Sequence, residues 1–186
     1  IDIGRGNLYI AWRNHKQAIF DITGDQISPD WFDWIWGYGF LDGKNDYYIA
    51  GKSDLGRGFI YAIFDRNGKM ITKEWFYMVW LDGLVNGESK YYVAKKKGKK
   101  AIFDENGNKI TKEWFDSVGK AGLVKGQSRY YVASKGKKDA IFDRYGNRIT
   151  DWFDNISFVG LIKGESKYYI AKNGLEEAIF DRDGNQ

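Results

Sequence analysis

The chain repeats itself, and that repetition limits the folds open to it more than any other property. The run Ala-Ile-Phe-Asp begins at Ala18, Ala62, Ala101, Ala140 and Ala178, at spacings of 44, 39, 39 and 38 residues. A Gly follows six residues after each Ala (Gly24, Gly68, Gly107, Gly146, Gly184), and an Ile nine residues after the first four (Ile27, Ile71, Ile110, Ile149). Trp-Phe pairs open at Trp31, Trp75, Trp114 and Trp152, and eight residues later come Gly39-Phe40-Leu41, Gly83-Leu84-Val85, Gly122-Leu123-Val124 and Gly160-Leu161-Ile162. Tyr-Tyr pairs at Tyr47, Tyr91, Tyr130 and Tyr168 complete the pattern, with Leu8-Tyr9 as a degraded first copy. A period of this length is one supersecondary unit that cannot bury its apolar face alone. Residues 1–186 therefore read as a single array, with approximate repeats 8–46, 47–90, 91–129, 130–167 and a partial 168–186.

Each repeat predicts four short antiparallel strands in two hairpins. Tyr91-Tyr92-Val93-Ala94 is rich in strand formers, Lys95 to Lys100 reads as a turn, and Ala101-Ile102-Phe103-Asp104 returns as the partner strand. The shared frame Asp-x-x-Gly fits a type I turn with Asp first and Gly fourth, the Gly taking positive φ. Lys109-Ile110-Thr111 then runs toward Trp114-Phe115, and Gly122-Leu123-Val124 is expected to form the last strand. No stretch keeps a helical apolar stripe free of Gly, so helix should be nearly absent. Between Tyr47 and Ala62 lie five additional residues, and the Gly-rich stretch Gly51 to Gly58 reads as a lengthened loop tip.

Two architectures share this period: an open β-repeat array, or solenoid, and a β-propeller-like ring of 4–5 blades. Five Tyr-Tyr/Ala-Ile-Phe-Asp hairpins alternate with only four Trp-Phe/Gly-Leu-Val units, an overhang that favours the open array. The sequence stops inside an Asp-x-x-Gly turn and opens on Ile1, so the expectation is an excerpt from a longer chain. Open ends would present unpaired strand edges and Tyr-rich surface, which predicts self-association or another protein as partner.

Composition removes several classes of chemistry. There is no Cys, which excludes disulfides and thiolate chemistry, and a single His, His15, which excludes multi-histidine metal sites. No apolar run approaches the length of a membrane span. Aromatics reach 18%, the natural result of stacking units that bury one another's rings.

The frame Ala-Ile-Phe-Asp-x-x-Gly-x-x-Ile, then Trp-Phe-Asp, then Gly-Leu-Val, resembles the bacterial Trp-Gly (WG or KWG) repeat proteins, from Leu8 to Gln186. It departs at the dipeptide that names them, which is here Gln17-Ala18, Tyr61-Ala62, Lys100-Ala101, Asp139-Ala140 and Glu177-Ala178, as in a divergent branch. The resemblance implies an all-β array used for binding or display, without catalytic residues or cofactors to carry over.

The side chains that could carry chemistry are few. Asp-x-x-Gly turns at Asp65, Asp104 and Asp181 resemble fragments of a calcium loop, but Phe76 and Phe115 stand where the closing Glu belongs, so no metal site is expected. Asp33, Asp116 and Asp154 follow Trp-Phe pairs, and a residue repeated in every unit serves a fold more readily than a reaction. His15 lies in a hairpin tip. The lysines Lys95, Lys96, Lys97, Lys99 and Lys100 concentrate charge in a chain whose net charge is only +4. Such a ridge could hold an acidic glycan, with nucleic acid less favoured, although lysines at exposed tips also keep β-proteins soluble. The first tyrosines of the pairs, Tyr47, Tyr91, Tyr130 and Tyr168, could stack on sugar rings. Trp34 and Trp36 read as peculiar to the first copy, hence a cap or a site. The expectation is a non-catalytic scaffold for protein interaction, assembly or surface display, bacterial and secreted or surface-attached, with carbohydrate or polyanion binding as the alternative. A hydrolase centred on Asp33, Trp34, Trp36 and the Gly51–Gly58 insertion is the remaining rival.

Overall fold

Runs such as Tyr91-Tyr92-Val93-Ala94 and Ala101-Ile102-Phe103 alternate their side chains across the chain, and their β-branched and aromatic members suit a pleated, half-buried surface. The protein, a computed structural model, is described over residues 2–3 (backbone only), 7–37, 39–56 and 58–186. Arg57, at the tip of the Gly51–Gly58 insertion, lies outside the described residues. Five three-stranded antiparallel sheets follow one another along the chain. They are β1 (Asp2–Ile3), β2 (Leu8–Arg13) and β3 (Lys16–Asp21); β4 (Trp34–Trp36), β5 (Tyr47–Asp54) and β6 (Gly58–Asp65); and β7 (Met78–Val79), β8 (Tyr91–Lys96) and β9 (Lys99–Asp104). The last two are β10 (Ser117–Val118), β11 (Tyr130–Lys135) and β12 (Lys138–Asp143), then β13 (Asn155–Ile156), β14 (Tyr168–Asn173) and β15 (Glu176–Asp181). The sheets are open and not closed into a barrel, so the architecture is an all-β open repeat array.

The long hairpins and the Asp-x-x-Gly turns fall where the sequence places them. In all five turns the Gly N–H donates to the Asp carbonyl at 2.9–3.1 Å, and each Gly has φ between 73° and 92°. The Asp Oδ1 accepts the amides two and four residues on, as Asp104 does from Asn106 and Asn108. These turn carboxylates are thus occupied by their own backbone.

Four other segments differ from expectation. Gly122-Leu123-Val124 and its counterparts are turns, not strands: Leu123 N–H donates to Tyr130 O, tucking two apolar side chains under the hairpin with Gly122 at φ 82°. The Lys109 segment makes a single bridge to Phe103 instead of a strand, so each sheet has three strands, not four. The insertion after Tyr47 lengthens the ladder itself, adding the pairs Ser53↔Phe59 and Asp54↔Gly58 to strands of eight residues. Likewise Lys95, Lys96, Lys99 and Lys100 lie on strands, and only Lys97-Gly98 turns the chain, with φ 49° and 81°.

Successive sheets are joined through one connecting segment. Phe76 bridges Tyr61 of β6 and β7 then pairs with β8, so the chain leaves the edge of one sheet and enters the next without a break. Each hairpin offers its two faces to two neighbours. Ile49 and Ile63 bury against Tyr92, Ala94, Ala101 and Phe103 of the following hairpin. Tyr92 stacks on Phe103 at 5.4 Å and 10°, and Phe76 and Trp114 tilt against the same Phe103 ring at 5.3 and 5.9 Å. The cluster recurs at the next joint around Tyr131, Phe142, Phe115 and Trp152. Polar ties mark the register as well: Ser89 Oγ donates to Val124 O at 2.6 Å and Ser128 Oγ to Ile162 O at 2.7 Å.

Candidate aromatic groove

The residues of β4 separate by alternation. Ile35 points into the core shared with the preceding hairpin, and Trp34 and Trp36 therefore share the opposite face, toward the following hairpin, their rings 5.4 Å apart. Trp34 lies opposite Gly51 in the ladder. A Cβ at Gly51 would sit 3.0 Å from the Tyr61 ring, so the missing side chain lets Tyr61 lie across the strand and meet Trp34 edge-on at 6.1 Å. Beyond β7, Trp80 N–H donates to Val93 O, which extends the strand and turns the Trp80 ring to this side. Trp34, Trp36, Tyr61, Met78, Trp80 and Leu81 line a cleft of about 410 Å³ at the joint between the second and third sheets, with Lys120 of the following unit at its edge. Trp36 and Met78 are 39% and 43% exposed, which leaves apolar surface open to a ligand.

One wall of the cleft is charged. Lys120 Nζ pairs with Asp82 Oδ2 at 2.5 Å, and Lys125 reaches the other oxygen at 3.9 Å. Lys120 and Lys100 ammoniums lie 5.8 and 5.3 Å from the Trp80 ring centre, within cation–π range. Among the described residues no carboxylate lies within ion-pair distance of Lys100. The groove thus combines tryptophan faces with a Lys120–Asp82 ion pair on its wall, and Lys100 reaches the Trp80 ring from outside the lining, an arrangement able to hold a flat, partly apolar group.

The lysines expected to form a ridge divide between the two sides of the β8–β9 hairpin. Lys96 pairs with Glu74, and Lys99 pairs with Asp116 at 2.5 Å, both acids coming from the connecting segments on either side. Lys95 stands opposite Lys100 and Met78 in register, and Lys97 is exposed in the turn. Of the five, none lines the aromatic groove, and only Lys100 reaches one of its rings, Trp80. The tyrosine row is not part of it: Tyr47, Tyr91 and Tyr130 are half-buried between successive sheets, and Tyr168 is exposed. Burial pushes the Tyr47 phenol up, helped by the nearby Glu105 and Asp46 carboxylates.

Asp33 sits beside the groove as a tie between hairpins. Its Oδ2 accepts from Ser53 N–H at 2.6 Å and its Oδ1 pairs with Lys16 at 3.1 Å. Asp116 makes the same two contacts with Gly136 and Lys99, and Asp154 with Gly174 and Lys138. The Ser53 amide, then Lys16, holds the Asp33 carboxyl below the usual aspartate range. His15 is exposed in a two-residue turn.

Sequence reasoning named Trp34 and Trp36 and missed Tyr61, Met78, Trp80 and Lys120. A signal was present: Trp36 and Trp80 both stand five residues after the first Trp of their Trp-Phe pair, so Trp36 is not peculiar to the first copy. Among the described residues no group of three or more His, Asp or Glu converges as metal ligands. No helix there is long and apolar enough to cross a membrane. No protein-family model matches the chain, and no curated protein matches it.

Proposed function

We propose that this chain is a non-catalytic β-repeat scaffold whose recognition surface is the tryptophan groove, built on repeats of a divergent WG type. The observation that carries the reading is the cleft lined together by Trp34, Trp36, Tyr61 and Trp80. Trp34, Tyr61 and Trp80 pack at the rim of the core clusters and Trp36 is exposed, so the four rings form a continuous aromatic edge that the alternation of β4 and the absence of a side chain at Gly51 permit. The scaffold part of the reading draws support from Asp33, whose contacts are repeated at Asp116 and Asp154. A carboxylate engaged in the same way at three joints is a fastener of the array, not a reactive group.

A second reading, glycan binding, is favoured by Lys100 and Lys120 at the Trp80 ring. Sugar rings present C–H faces to tryptophan, and a uronic carboxylate would meet the ammoniums. Titrating the protein with uronate oligosaccharides while following tryptophan fluorescence separates the readings. Binding that weakens at high salt and is lost in Trp36→Ala supports a glycan ligand; no response, with capture of a protein partner lost in the same variant, supports the protein reading. Turnover of any glycan or peptide that disappears in Asp33→Asn would overturn the non-catalytic assignment.

A further inference from the structure

The two residues that flank each Tyr–Asp pair of the long hairpins face each other across the ladder. In the hairpin of β5 and β6 these are Asp46 and Arg66, joined by an ion pair of 2.8 Å. In the hairpin of β8 and β9 they are Lys90 and Glu105, joined at 2.9 Å with the signs reversed. In the hairpin of β11 and β12 the same two positions hold Arg129 and Arg144. Like charges placed opposite one another in a ladder are destabilising, so this pair has no role as a fastener.

The arginines also line a cleft of about 380 Å³ against the preceding hairpin, together with Ser89, Tyr91 and Ser128. Among the described residues no carboxylate lies within ion-pair distance of either guanidinium. Arg144 is oriented without an acid: its Nη2 donates to Tyr145 Oη at 2.7 Å, and its guanidinium lies over the Tyr145 ring at 4.9 Å. Ser89 and Ser128 give their hydroxyl protons to the Val124 and Ile162 carbonyls, so they form walls and are not free donors. The Asp143 carboxylate, which acts on Arg144, is held by the amides of Tyr145 and Asn147 and by the Asn147 side chain.

We propose that Arg129, Arg144 and Tyr91 form a binding site for a tetrahedral oxyanion, a phosphate or sulfate group, distinct from the aromatic groove. Guanidinium groups present paired N–H donors that match phosphate and sulfate oxygens, and one such anion between two of them removes their mutual repulsion.

Arg144→Glu provides the test, because it recreates the pairing already present at Lys90 and Glu105 and therefore preserves the fold. Thermal unfolding and isothermal titration of the full chain are run with inorganic phosphate, sulfate and phosphoserine, and with chloride at matched ionic strength. Phosphate and sulfate should raise the Tm of the parent protein more than chloride does. Arg144→Glu should have the higher Tm in chloride, lose the additional shift, and bind phosphate at least tenfold more weakly. Phosphoserine binding as well as the free ion assigns the site to a group carried on a larger ligand; free ions alone binding assigns it to the inorganic anion. Equal shifts from chloride and phosphate, or equal phosphate affinity in the parent and Arg144→Glu, would overturn the proposal.

Discussion

Gly107→Ala tests how the units are stacked. Gly107 closes an Asp-x-x-Gly turn at φ 73°, and a Cβ added there would lie 2.2 Å from the carbonyl oxygen of Ile71, in the preceding repeat. Gly24 closes the equivalent turn of the first repeat at φ 92°, and among the described residues a Cβ there would meet nothing within 4 Å. Both substitutions place alanine in the left-handed region, at a cost of about 1–2 kcal/mol. Only Gly107→Ala must also open the joint by roughly 1 Å, and overpacking of this kind adds about 1–3 kcal/mol. The expected loss is therefore about 1–2 kcal/mol for Gly24→Ala and about 2–5 kcal/mol for Gly107→Ala. Urea unfolding followed by tryptophan fluorescence gives the totals, and hydrogen exchange localises them, because units in an array can open separately. Protection of the Ile110 amide, which donates to Ile102 O at 2.8 Å, should fall selectively in Gly107→Ala. Equal losses in the two variants would show that the turn glycines serve their own turns alone, and the account of the joint would be wrong.

Three further outcomes follow from the same packing. The Tyr92 hydroxyl is buried without a hydrogen-bond partner, so Tyr92→Phe should leave stability unchanged or raise it by up to about 1–2 kcal/mol; a fall of several degrees in Tm would refute this. Ser89→Ala removes both the donor to Val124 O and the acceptor for Tyr91 N–H, and should cost about 1–3 kcal/mol in denaturant unfolding. The Asp116 carboxyl is held low by Lys99 and the Gly136 amide, and Asp154 by Lys138 and the Gly174 amide. With folded pKa values below the unfolded one, the folded state binds fewer protons, so this stability is present above the ordinary aspartate pKa of about 3.9 and is lost as the pH falls below it. Tm should be flat from neutral pH to about 5 and decline below about 4, and a combined Asp116→Asn, Asp154→Asn variant should show a shallower acid limb.

What the sequence conveyed depended on how local each signal was. The Asp-x-x-Gly turn is decided within five residues, and Asp104 satisfies its own amides there, so the frame alone was sufficient. The Tyr-Tyr and Ala-Ile-Phe-Asp runs carry the alternation that a half-buried strand needs, and they pair in the expected hairpins. Gly122-Leu123-Val124 was misread because three apolar residues have no measurable period. Its turn is imposed from outside, since a Cβ at Gly122 would lie 2.2 Å from Tyr130 O and 2.7 Å from Ile162 O. The insertion was misread because Gly51, Gly56 and Gly58 resemble a loop, while Phe59 and Ile60 on the return side supply enough strand character to extend the ladder. The groove was only half legible because Tyr61 reaches Trp34 across Gly51, a relation between two strands that no single window contains.

The two proposed sites lie where the repeating pattern departs from itself, and stacking explains why. Each joint fixes the residues on both facing surfaces: Ile49 and Ile63 must meet Tyr92 and Phe103, and equivalents of these recur at every internal joint. Positions on the outer edges are not bound by that demand and can vary without loosening the array. At the place held by Trp36 and Trp80 the third unit has Gly119, and a Cβ there would lie 2.7 Å from the Phe158 ring, so the next unit fills the space itself. The groove consequently ends after two units instead of running the length of the array. At the flanking pair, opposite charges close the ladder in two hairpins and two arginines leave it open in the next. A short ligand engaging one or two units, not a polymer tracking all of them, is what such an edge can select. Affinity for an oligosaccharide or an oxyanion should therefore reach a plateau once the ligand spans its own site.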